Sequence, residues 1–193
     1  MMLDFGVGFE PSPLWRYLPQ TLFSLLRNPS FMTCTRNSHM PFITSLSGMR
    51  LPIQVQAILF RKINRETQYL LLKRISSIGR FWQPVTGGIE EGETKIQALK
   101  REVLEETGIK NVARIIKDVH YCEFWDYFKR EARQRLIKEH VFGVEISSNE
   151  KIIISREHTE YKWCSFKEAL KLLKWEENKE ALKKLNHILS VRK

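Results

Sequence analysis

Three glutamates, Glu102, Glu105 and Glu106, fall within five consecutive residues of this 193-residue chain, and their type and spacing could do chemistry. On a helix turning about 100° per residue they share one arc, while Ile96, Leu99 and Val103 share the neighbouring arc. Like charges this close destabilise a helix unless something positive sits between them. Carboxylate oxygens suit Mg²⁺ or Mn²⁺, and Mg²⁺ keeps waters and takes its remaining ligands from substrate phosphates. The cluster therefore points to a divalent cation and a phosphorylated substrate. A solvated acidic helix face is the plainer reading, but it leaves the residues around the glutamates unexplained.

Those surroundings are specified at fixed spacing. Gly87 is followed after five residues by Glu93, after seven more by Arg101-Glu102, then by Val103, Glu105-Glu106, Gly108 and Ile109. Chance would place such a set of identities in register on the order of once in a million chains of this size. A helix is predicted over residues 94–107, which are rich in Ala, Leu, Gln, Lys, Arg and Glu, with Thr94 as N-cap and Gly108 as left-handed C-cap. The segment matches the full signature of the Nudix hydrolases and is identified as a member of that family. The resemblance implies an α/β/α sandwich around a mixed β-sheet and Mg²⁺- or Mn²⁺-dependent cleavage of nucleoside diphosphates linked to another group. By the match, Glu102, Glu105 and Glu106 hold metal with the Gly87 carbonyl as a further ligand, and Glu93 pairs with Arg101 to lock the loop on the helix.

The remaining elements are those that must position this helix. Ile53, Val55, Ala57 and Leu59 alternate with Gln54, Gln56 and Ile58 as a strand, residues 61–68 read as a polar connection, and residues 69–73 as a second strand. Arg74, at its end, suits bidentate phosphate contact. Trp82 reads as core-edge packing, and Thr86 stands next to Gly87, where backbone can approach a phosphate. Strands are expected over 112–123 and 136–146, joined by a hairpin or flap over 124–135 that gathers Trp125, Tyr127 and Phe128. The segment SREHTEYKWCS at 155–165 is the second informative stretch. In the Nudix family a glutamate in this context commonly reaches the metal site from a loop, so the match makes Glu157 a metal ligand or the acceptor of a proton from water, a role it shares as a candidate with Glu102. His158 reads as structural. Amphipathic helices follow over 166–186.

Residues 1–48 mix prolines, serines and isolated apolar clusters without period, and are expected to be a poorly structured extension, absent if translation starts at Met49; residues 49–193 are expected to be the hydrolase domain. The longest apolar patch of residues 1–48, Leu22 to Leu26, is too short to span a bilayer. Three widely spaced cysteines, Cys34, Cys122 and Cys164, suit a reducing compartment, and a cytoplasmic protein without a membrane partner is expected. Net charge is +10, and the excess lies almost entirely after residue 48. Such a field favours polyanionic substrates; a nucleic-acid partner is compatible with it but is not the preferred reading.

The segments before and after the helix, with Trp175, Asn178 and Ala181, are similar to the dihydroneopterin triphosphate pyrophosphatase branch of the family, which also acts on dATP-like nucleotides. By that match Arg74, Thr86 and Asn178 contact a nucleotide or pterin triphosphate, cleaved to monophosphate and pyrophosphate. The alternatives are a dinucleoside polyphosphate (Ap4A-type) hydrolase, whose members usually carry Lys-Gly where this chain has Thr86-Gly87, then an RNA 5′-pyrophosphohydrolase, and last a non-catalytic nucleotide-binding module.

Overall fold

A computed structural model describes residues 51–128 and 133–191. The expectations for residues 1–48, including Cys34, and for the tip of the hairpin at 129–132 lie outside the described residues.

The described residues form seven strands and three α-helices in the order β1 (Ile53–Ile63), β2 (Glu66–Arg74), β3 (Trp82–Gln83), β4 (Val85–Gly88), α1 (Lys95–Thr107), β5 (Arg114–Phe128), β6 (Arg133–Glu145), β7 (His158–Cys164), α2 (Phe166–Leu172) and α3 (Glu176–Val191). All strands join one sheet with the path β3-β2-β1-β6-β5, to which β4 adds beside β1 and β7 beside β2. The β1·β6 pairing is parallel and the others antiparallel, so the sheet is mixed.

Strand β1 organises the sheet because it is covered on both faces. Val55, Ala57 and Leu59 pack with Ala98, Leu99 and Val103 of α1. Ile58 and Phe60 pack with Ala169 of α2 and with Ala181, Leu182 and Leu185 of α3. The result is the expected α/β/α sandwich. Burial of each large aliphatic side chain in these two layers stabilises the fold by roughly 1.5–3 kcal/mol.

The region expected to be a polar connection is mostly strand. β1 runs to Ile63, β2 begins at Glu66, and only Asn64 and Arg65 turn, both with positive φ (49° and 68°). That pair of left-handed residues matches the twist of a tight two-residue hairpin. The expected strand 112–123 and the hairpin after it are likewise one long ribbon, β5 with β6, bent by a register shift between Ile116 and His120 where Asp118 has φ 54°. β6 continues five residues below its first partner in β1, so Trp125 sits on a two-stranded ribbon and is 59% exposed.

Candidate active site

The helix carrying the glutamates is fixed at both ends by its own sequence. Thr94 accepts from the Gln97 backbone N–H while the Gln97 side chain accepts from the Thr94 N–H, and Gly108 ends the helix at φ 73° with its N–H on the Leu104 carbonyl. Between these caps the acidic arc does not face solvent uniformly. Glu102 and Glu106 are buried beside β4, whereas the Glu105 side chain is 57% exposed.

Arg101 joins the arc to the preceding loop. Its Nε donates to Glu93 Oε1 at 2.8 Å and its Nη2 to Glu93 Oε2 at 2.9 Å, a bidentate pair. The same guanidinium reaches the Gly88 carbonyl at 2.9 Å, Glu102 Oε1 at 2.7 Å and Glu105 Oε2 at 3.3 Å. Hydrogen bonding from Arg101 holds the Glu93 carboxyl below its ordinary value, and the Glu93 hydrogen bonds raise the guanidinium above its own. Replacing Arg101 by Ala leaves Glu93 and Glu102 without this partner and is expected to destabilise the protein by about 2–3 kcal/mol in denaturant unfolding, with Lys recovering less than half because it has no fork.

Gly87 faces the same arc from β4, opposite Val55 in register. A Cβ there would lie 1.8 Å from Glu102 Cδ, so only glycine lets strand and carboxylate meet. Glu106 is buried to the same degree as Glu102, and its Oε2 has no hydrogen-bond partner. Burial pushes the Glu106 carboxyl up to about 8, with a further push from Glu102, while Arg74 and the Thr86 backbone N–H oppose the shift.

The second informative segment reaches this helix through its backbone. The Ser155 N–H donates to the Glu106 carbonyl, the Ile153 N–H to the Thr107 carbonyl, and the Ile75 N–H to the Glu157 carbonyl, so the loop laces the end of α1 to the end of β2. Glu157 is exposed and pairs with Arg74 at 2.8 Å. His158 is fully enclosed, and burial, helped by Arg74, holds its imidazole down at about 4, hence neutral.

Thus Gly87, Glu93, Arg101, Glu102, Glu105, Glu106, Arg74 and Glu157 lie along one linked set of contacts, with the Thr86 backbone at its edge. Asn178 does not join them. It is buried on the α3 face, where its Oδ1 accepts from Gln56 Nε2 at 2.7 Å. Gln56, read in the sequence as the polar side of an alternating strand, is 1% exposed and also donates to Glu139 at 3.3 Å. Glu139 is buried too and receives a hydrogen bond from Gln54. Thr86 stands opposite Gln56 in register, so its side chain shares that face. Sequence reasoning missed Glu139 and Gln56; their signal was polar identity inside segments otherwise apolar.

Among the described residues, no three acidic, imidazole or thiol groups already converge as metal ligands. Glu105 leans on Arg101 at 3.3 Å and Glu157 on Arg74 at 2.8 Å. The donor set nevertheless fits a hard cation, because Glu106 Oε2 is an unpartnered buried acceptor and Gly87 leaves Glu102 room beside the strand.

The family profile of the NUDIX domain matches residues 52–185, over half of the chain. The chain belongs to the Nudix family. Members of this family generally require divalent cations such as Mg²⁺ or Mn²⁺, and this chain is a Nudix hydrolase. It is 30% identical over 136 residues to a dihydroneopterin triphosphate diphosphatase of Haemophilus influenzae, covering 67% of this chain and 85% of that one. It is 28% identical over 134 residues to an asymmetrical bis(5′-nucleosyl)-tetraphosphatase of Caenorhabditis elegans, covering 69% and 93%. A further match, 30% identical over 119 residues and 62% of this chain, spans only 32% of a Myxococcus xanthus protein named octanoyltransferase. Among solved structures, a Listeria monocytogenes Nudix hydrolase superposes with a TM-score of 0.65 at 29% identity, covering 74% of this chain and 97% of that one. No helix among the described residues of this Nudix hydrolase is long and apolar enough to cross a membrane, and Cys122 and Cys164 are free thiols.

Proposed function

We propose that this Nudix hydrolase is a divalent-metal-dependent pyrophosphohydrolase that cleaves a (deoxy)nucleoside triphosphate or dihydroneopterin triphosphate to monophosphate and pyrophosphate. The observation that carries the reading is the glutamate arc of α1, held against β4 by Gly87 and Arg101, with a buried carboxylate oxygen left unpartnered. Glu102, Glu105, Glu106, Glu157 and the Gly87 carbonyl would hold Mg²⁺ or Mn²⁺. The bound ion supplies charge neutralisation at the phosphoryl oxygens and a more acidic water. Glu93 and Arg101 keep the loop on the helix. A triphosphate competes with Glu157 for Arg74, which releases Glu157 toward the reacting water; Glu157 or Glu102 accepts the proton. Thr86 and Asn178 border the face where Gln56 and Glu139 lie, the side assigned here to the rest of the substrate. We take residues 49–193 as the hydrolase domain and 1–48 as an extension, and the cytoplasm as its compartment, which suits the two free thiols.

A second reading, hydrolysis of dinucleoside polyphosphates, is favoured by the 28% identity to the C. elegans tetraphosphatase. A substrate panel with Mg²⁺ separates them: dihydroneopterin triphosphate, the dNTPs, diadenosine tetraphosphate and 5′-triphosphorylated RNA. Pyrophosphate released from the first two alone is the expected result. ATP appearing from the tetraphosphate would overturn it in favour of the second reading.

A further inference from the structure

Among the described residues, three buried side-chain atoms have no hydrogen-bond partner, and two of them face each other: Glu106 Oε2 and His158 Nε2, 4.0 Å apart. A buried polar atom left unpaired costs free energy, so an opposed pair of them in a folded protein calls for an explanation. The gap is too wide for a direct hydrogen bond, and closing it takes a movement of roughly 1 Å.

The surroundings decide which group donates. His158 Nδ1 lies 3.3 Å from the Ser155 hydroxyl, which also accepts from the Glu157 N–H at 3.4 Å. As a metal ligand Glu106 is ionised and can only accept, so the ring proton that meets it sits on Nε2, and the Ser155 hydroxyl, able to donate as well as accept, gives its proton to Nδ1. The backbone that carries the ring is held in place. His158 N–H bonds the Ser155 carbonyl, Ser155 N–H bonds the Glu106 carbonyl, and the backbone of His158 pairs with Arg74 in the sheet. The main chains of His158 and Glu106 are therefore linked through Ser155.

We infer that His158 is a positioning residue for Glu106: it donates from Nε2 to Glu106 Oε2, and so sets the orientation in which that carboxylate presents its lone pairs to a divalent cation. Ser155 supports that tautomer from the other ring nitrogen. Carboxylates that hold metal are commonly held in turn by such hydrogen bonds, and losing one weakens metal affinity by about 10–100-fold. The inference rests on the metal reading of Glu106 made above.

The test is Mn²⁺ titration by calorimetry on the folded, substrate-free protein, with circular dichroism to confirm the fold, for wild type, His158→Gln and His158→Asn. A glutamine amide reaches the position of Nε2 and can donate to Glu106; an asparagine amide stops near Nδ1, keeps the Ser155 contact and cannot reach. Mn²⁺ affinity within about threefold of wild type for Gln and at least tenfold weaker for Asn is expected. Equal affinity in wild type and Asn, or equal losses in Asn and Gln, would overturn the role of His158 while leaving the metal reading intact. Absence of Mn²⁺ uptake by wild type would remove both.

Discussion

Glu106→Gln is expected to lower turnover at least tenfold while making the metal-free protein more stable at pH 8. The two effects have one origin. The Glu106 carboxyl is held at about 8 in the fold, against 4.5 as its ordinary value, mainly by burial and then by Glu102. Between those values the folded protein binds a proton that the unfolded chain does not, so stability falls as pH rises through this range. Glu139 is raised by burial in the same direction. His158 acts oppositely: its imidazole is held at about 4 against 6.5, so its share of stability is lost as pH falls through that interval. His120 and His140, lowered by burial and by Lys184 and Lys95 respectively, add to the loss on the acid side. Thermal unfolding in EDTA should therefore show a stability maximum near pH 6.5 and a decline toward pH 8. In the Gln variant that decline shrinks, and Mg²⁺ at pH 8 stabilises wild type but not the variant. Stability rising steadily to pH 8 in metal-free wild type would contradict this account of Glu106.

The reason this carboxylate costs stability was not legible in the chain. The spacing of Glu102, Glu105 and Glu106 on a helical arc was visible, as were the helix ends at Thr94 and Gly108, because capping is local chemistry. Which glutamates are buried depends on where β4 lies, and only the tertiary fold shows that Glu102 and Glu106 turn toward it while Glu105 turns out. The pairing of Glu157 with Arg74 is likewise a contact between distant segments. Alternation in residues 53–59 identified the strand but left the burial of Gln56 open, because period two separates the faces of a sheet without saying whether the second face is wet. Here α3 covers it. Residues 61–68 read as a connection because Arg61, Lys62 and Gln68 are polar, yet hairpin ends beyond the helices stay half in water and accept such residues. The turn itself, Asn64-Arg65, lacks the glycine that usually marks a left-handed pair. His158 was passed over because a lone histidine carries no periodicity; its significance lies in the atom it faces.

Gly87→Ala is expected to lose turnover by about a hundredfold, the scale associated with misplacing a reacting group by about an ångström. The cause is crowding and not backbone strain, since Gly87 is absent from the positive-φ glycines, Gly79, Gly92 and Gly108. Its added Cβ would stand 1.8 Å from Glu102 Cδ, 1.9 Å from Oε1 and 2.3 Å from Oε2. β4 cannot retreat, because Gly87 is held opposite Val55 and its neighbours opposite Gln54 and Gln56 in the same ladder. Glu102 must therefore swing away and give up its 2.7 Å contact with Arg101, which also anchors Glu93. Overpacking of this kind destabilises by about 1–3 kcal/mol, well short of unfolding a domain this size. Gly92→Ala is the matched control: φ there is +83°, and nothing lies within 4 Å of its added Cβ. That variant should share the modest loss of stability, through backbone strain, and keep its turnover. Steady-state rates at saturating Mg²⁺ with thermal unfolding of both variants make the comparison. If Gly87→Ala turned over as fast as Gly92→Ala, the placement of Glu102 against β4 would not be what the reaction depends on.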